Sequence, residues 1–112
     1  MARIGFSDLG RFSDVSLLIL LSLAAGAKHG YAIIEDIERF SGTRVEPGSL
    51  YGALLRLEQK GWIEALPAEE RRRPYRLTAA GIASLRQQVA TLQQIVATGV
   101  ERLALAYGGG IA

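Results

Sequence analysis

The sequence predicts a mainly α fold carrying one small β-hairpin, and three observations predict it. Apolar residues recur at helical spacing through four separate stretches. Turn-forming residues punctuate them at Gly26, Ser41-Gly42 and Gly61. Two short runs of β-formers, Trp62 to Leu66 and Tyr75 to Leu77, flank a charged loop. A length of 112 residues, 49% of them hydrophobic and 21% charged, suits a single compact globular unit.

Residues 1 to 13 mix Gly5, Gly10, charges and isolated aromatics without a sustained period, which reads as an arm or a short helix. Asp14 or Ser16 can cap a first helix that is apolar on nearly every side, the pattern of a helix surrounded by others. Its apolar run, Val15 to Ala27, is shorter than the roughly 18 to 20 residues that a membrane span needs. Arg3 and Arg11 ahead of that run resemble a secretory signal. Asp8 and Asp14 contradict the positive region such a signal requires, and cleavage near Ala27 would remove the central helix, so a buried first helix is the better account.

Beyond Lys28-His29-Gly30, the residues Ile33, Ile34, Ile37 and Phe40 share one helical face, with Glu35, Asp36, Glu38 and Arg39 on the other, and Ser41-Gly42 closes this second helix. Pro47 suits a first helical position and Gly61 the residue just past an end, which places a third helix over 47 to 60. Leu50, Ala53, Leu54 and Leu57 project to one side of it. Gly48, Gly52, Leu55, Arg56 and Gln59 project roughly opposite, a small and polar face except for Leu55. The hairpin follows, with Pro67 and Pro74 at its loop margins, where a ladder donor is least needed. Thr78 can cap a final helix over 79 to 107, along which Ile82, Leu85, Val89, Leu92, Val96, Gly99, Leu103 and Ala106 recur at alternating spacings of three and four. Residues 108 to 112, beginning Gly108-Gly109-Gly110, read as a flexible tail.

Three helices followed by a basic-tipped hairpin is the order of a winged helix-turn-helix, here residues 14 to 78, in which the third helix enters the major groove of DNA. A helix that lies deep in a groove needs little bulk on its outer face, and Gly48, Ser49 and Gly52 provide that near its N-terminus. Ser49 and Tyr51 offer hydroxyls to phosphates or base edges, and Arg56 can reach a guanine or the backbone. The plainer alternative is that Gly48 and Gly52 permit close helix packing and Tyr51 belongs to the core. Arg71, Arg72 and Arg73 form the densest basic cluster and would sit at the hairpin tip, with Glu69 and Glu70 beside them to hold them when no DNA is bound. A charge run alone is more often a solvated loop. Its position directly after a groove-type helix favours the DNA reading.

A single long helix cannot cover its own apolar stripe in so small a protein, so Leu85, Val89, Leu92, Val96 and Leu103 are expected to mediate dimerisation, with part of the N-terminal half folding back on the chain's own helices. Gly99 on that seam permits either a close backbone approach or a kink. Cysteine is absent, which excludes disulfides and thiolate metal sites and fits a cytoplasmic location. The formal net charge is only +2, so any nucleic-acid footprint must come from local clustering. His29 is the only histidine and lies between helices, where it is expected to cap or turn; no catalytic partner, metal-ligand spacing or phosphate-cradling loop accompanies it. No enzymatic activity, metal or cofactor is expected.

His29-Gly30-Tyr31, Pro47-Gly48-Ser49-Leu50-Tyr51, Leu54, Arg56-Leu57-Glu58, Lys60-Gly61-Trp62-Ile63 and the run from Arg71 to Gly81, in this order and spacing, resemble the PadR family of bacterial transcriptional regulators. The likeness covers about residues 15 to 106 and is to the short members with one C-terminal helix. It implies a homodimer that binds double-stranded DNA at an inverted repeat, usually as a repressor, and that is released in many members by a small aromatic or cationic effector. Ser49, Tyr51 and Arg56 match the family's recognition-helix residues and Arg71 to Arg73 its wing. This wing departs from the pattern in lacking the glycines that often precede the arginines and in having Pro74 where a basic residue is common. The alternative reading is a winged-helix module that binds protein instead of DNA.

Overall fold

The computed structural model describes residues 14–108; the arm expected over 1 to 13 and all but the first residue of the expected tail lie outside them. Helix α1 spans Val15–Ala24, and Asp14 is its cap, accepting a hydrogen bond from the Ser16 amide at 2.8 Å. Leu17, Leu18, Ile19, Leu20 and Leu23 are buried, because α2 (Gly30–Ser41), α3 (Pro47–Gln59), α4 (Ala79–Tyr107) and the sheet all pack around α1. That enclosure is why its sequence shows no polar face. The buried Ser22 hydroxyl donates to Asp36 at 2.7 Å, and the Lys28 ammonium donates to the Ser22 carbonyl, so the C-terminal end of α1 is tied to α2 by satisfied polar groups.

Helix α2 spans Gly30–Ser41 and ends on Gly42, whose φ of 73° is the left-handed conformation that glycine adopts without strain. Ile33, Ile34 and Ile37 enter the core as their spacing predicts. Phe40 does not: it is 41% exposed, although the next residue, Ser41, is buried on the same last turn. Helix α3 spans Pro47–Gln59 with Pro47 in its first turn and no side-chain cap, and buries Leu50, Ala53, Leu54 and Leu57.

Strand β1 is Lys28–His29, β2 is Ile63–Ala65 and β3 is Pro74–Leu77. They form one antiparallel sheet in the order β1-β3-β2, with His29 opposite Pro74 and Ala65 opposite Tyr75. The hairpin therefore carries a third strand that sequence pattern did not reveal; two residues are too few to show alternation. Helix α4, Ala79–Tyr107, runs 29 residues without interruption through Gly99, so that glycine does not break it. Its start is fastened to the hairpin. The Thr78 amide donates to the Trp62 carbonyl at 3.0 Å, the Thr78 hydroxyl to the Gly61 carbonyl at 2.6 Å, and a side chain at Gly81 would collide with the Trp62 carbonyl.

Leu85 lies in the core at 7% exposure, and Val89 and Leu92 are half-buried against it. From there α4 leaves the body of the protein, which gives overall dimensions of 56 × 31 × 20 Å. Val96 is 63% exposed and Leu103 43%, with Ile95, Val100, Leu105 and Tyr107 also in solvent. Among the described residues no helix is long and apolar enough to cross a membrane.

Candidate nucleic-acid interface

The sides of α3 are each accounted for. Leu50, Ala53, Leu54 and Leu57 fill the core. Arg56 and Lys60 line a groove of about 720 Å³ shared with α1 and α4, where the Lys60 ammonium lies 4.7 Å from the centre of the Trp62 ring. Tyr51 lies against the start of α2, so close that a methyl group at Gly30 would come within 2.5 Å of its hydroxyl. Burial first, then Glu58 and Tyr51, raise the Tyr75 phenol of β3 above its ordinary 10.0 against the opposing pull of Arg73. What remains is an outer line of Gly48, Gly52, Leu55 and Gln59.

Among the described residues, nothing lies within 4 Å of where a side chain would begin at Gly48, and at Gly52 the nearest atom is the Arg56 guanidinium at 3.6 Å. Neither glycine is therefore required by packing against the described residues, which counts against the plainer alternative for both. Ser49 and Arg56 are exposed. Tyr51 divides between the two readings: its ring is lodged over Gly30, yet it remains 46% exposed. Nothing local in the sequence links Gly30 to Tyr51, since they meet only when α2 and α3 cross.

Arg71, Arg72 and Arg73 are all exposed on the hairpin loop. Glu69 and Arg72 exchange backbone hydrogen bonds of 2.7 and 2.8 Å, closing a two-residue turn with Glu70 and Arg71 both at positive φ, 47° and 71°. Such a turn favours Asn and Gly; holding two longer side chains in it stores backbone strain at the tip. Among the described residues neither Glu69 nor Glu70 forms an ion pair, so the expected restraint of the arginines by these carboxylates does not occur. Arg72 instead donates to His29 Nε2 at 3.1 Å, while His29 Nδ1 accepts from the Ala32 amide at 3.4 Å as the cap of α2. A neutral imidazole has one acceptor nitrogen, so the ring serves either the arginine or the helix at any moment. Arg76 pairs with Glu64 across the two strands.

Five of the eight candidate DNA contacts thus sit on α3, between Gly48 and Arg56, and three at the hairpin tip. The residues expected to mediate dimerisation divide along α4: Leu85, Val89 and Leu92 toward the chain's own core, Val96 and Leu103 toward solvent. Among the described residues no group of three or more His, Asp or Glu side chains could hold a metal.

The family model described as the transcriptional regulator PadR-like family matches residues 19–87. The transcriptional regulator Rv3488 of Mycobacterium tuberculosis is 38% identical over 87 residues, covering 72% of this chain and 78% of that protein. An uncharacterised 37.1 kDa protein in transposon TN4556 of Streptomyces fradiae is 45% identical over 85 residues; the match covers 76% of this chain but only 25% of that longer protein. Among solved structures, a transcriptional regulator from Clostridium thermocellum superposes with a TM-score of 0.70 at 32% identity, covering 82% of this chain and 91% of its own.

Proposed function

Because the chain belongs to the PadR-like family of transcriptional regulators, we propose that it acts as a homodimeric repressor that binds an inverted-repeat operator and is released by a small aromatic or cationic effector. The family consists of transcriptional regulators and not enzymes, and DNA is the partner that its winged helix implies. The observation that carries the reading is the bare outer line of α3. Two glycines that no neighbour among the described residues requires would allow the helix to descend into a major groove, and Arg71 to Arg73 stand exposed on the adjoining hairpin, where phosphates would pass. The apolar distal half of α4 supports the dimer, which would set two such helices about 34 to 36 Å apart, one turn of duplex. A cytoplasmic location follows from this role.

Titration of a labelled duplex, selected from a random pool, tests the proposal. Binding should fall steeply with salt, and replacing Arg71, Arg72 and Arg73 by alanine should weaken it uniformly across sequences and flatten the salt slope by about 3. Equal affinity for selected and random duplexes at physiological salt would rule out specific repression. The net charge of only +2 favours one other reading, a protein-binding winged helix, and that reading predicts no duplex binding even at low salt.

A further inference from the structure

We propose that Leu55 reads thymine, by packing its side chain against the 5-methyl group of one thymine in each half of the operator; this rests on the DNA-binding reading above. Leu55 is 57% exposed on the outer line of α3, three residues on from Gly52 and seven from Gly48, and therefore on the same helical face as both. It is the one bulky apolar side chain on that line. Leu50, Ala53, Leu54 and Leu57 are turned into the core and Tyr51 is lodged over Gly30, and the described residues leave more than half of the Leu55 surface open.

Other large exposed aliphatic side chains among the described residues all lie on α4. Leu55 is thus isolated from the apolar face suited to a second copy, and one leucine offers far too little area to dock a protein. It also lacks any donor or acceptor, so it can distinguish base pairs only by apolar contact. The floor of the major groove presents one such feature, the methyl group of thymine. The open space at Gly48 and the merely ordinary contact at Gly52 are what would let the helix sink far enough for Leu55 to reach it.

The test compares thymine with uracil, which differ by that methyl alone. Sites are selected from a random duplex pool with the full chain, each thymine is then exchanged for uracil, and affinities are measured for the unaltered protein and for Leu55→Ala. At one symmetry-related pair of positions, uracil should weaken the unaltered protein about fourfold per methyl removed. Leu55→Ala, which alters an exposed residue and keeps the fold, should bind thymine and uracil duplexes alike at those positions. If the pool yields a defined site but uracil is neutral everywhere, or if Leu55→Ala keeps the same thymine preference, the assignment of Leu55 fails while the regulatory reading stands. If the pool yields no preferred sequence, both fail.

Discussion

The two halves of α4 carry the same apolar rhythm and meet opposite fates. From Thr78 to Leu92 the helix is bolted to the hairpin and packed on the core: Gly81 touches the Trp62 carbonyl and Leu85 is buried. From Val96 to Tyr107 the stripe is exposed, with none of the described residues within 4 Å of a side chain placed at Gly99. Spacings of three and four specify that a helix has an apolar side. They do not specify whose surface covers it. The first half finds its cover in α1 and β3 of the same chain, because Thr78 starts the helix there; the second half extends beyond the described residues that cover the first.

The largest expected effect comes from breaking the distal half. Val96→Glu combined with Leu103→Glu should weaken self-association by roughly a thousandfold, since burying two unpaired carboxylates is costly, while helical content stays unchanged. Sedimentation across a concentration series reads this directly, and a dimer that survives both charges would place the interface elsewhere. Leu85→Ala should do the reverse, destabilising each protomer by about 3 kcal/mol in urea unfolding without creating a charged face. The two glycines sharpen the contrast. Gly81→Ala should destabilise by about 2 kcal/mol because the Trp62 backbone must move, whereas Gly99→Ala should strengthen the helix by about 1 kcal/mol. Should Gly99→Ala instead loosen the dimer, a second backbone approaches there.

Smallest is an alkaline effect confined to the proximal end. Tyr75, on the strand that supports the start of α4, has its phenol raised above 10.0 by burial, then by Glu58 and Tyr51. The folded state therefore holds its proton more tightly than the unfolded chain does. Its contribution is fully present below pH 10.0 and is lost as pH rises through the folded value. Unfolding curves between about pH 9 and pH 11 should show this decline, and Tyr75→Phe should flatten it.

Local signals made much of this architecture legible. Asp14, Pro47 and Thr78 mark helix starts, Gly42 and Gly61 mark ends, and the buried faces of α2 and α3 follow their spacing except at Phe40. What stayed hidden was tertiary. β1 is too short to show a pattern, and it exists because Pro74 and Tyr75 come alongside it. Gly30 and Gly81 are constrained by Tyr51 and Trp62, contacts between segments far apart in the chain. The hairpin tip defeats local reading in another way, since Glu70 and Arg71 adopt a conformation that composition assigns to Asn and Gly. Within the candidate interface, residue type singled out Gly48, Ser49, Arg56 and the arginines as candidates, but the partnership of Arg72 with His29 joins residues 43 positions apart and left no trace in the pattern.

The fastening of Thr78 and Gly81 to Gly61 and Trp62 makes α4 and the hairpin a single stiff part. A helix of 29 residues, about 43 Å from end to end, then works as a tiller. A swing of a few degrees at Tyr107 would tilt the base of the hairpin through the same angle, so in the proposed dimer the crossing of two such tillers would set the pitch at which both arginine tips are carried.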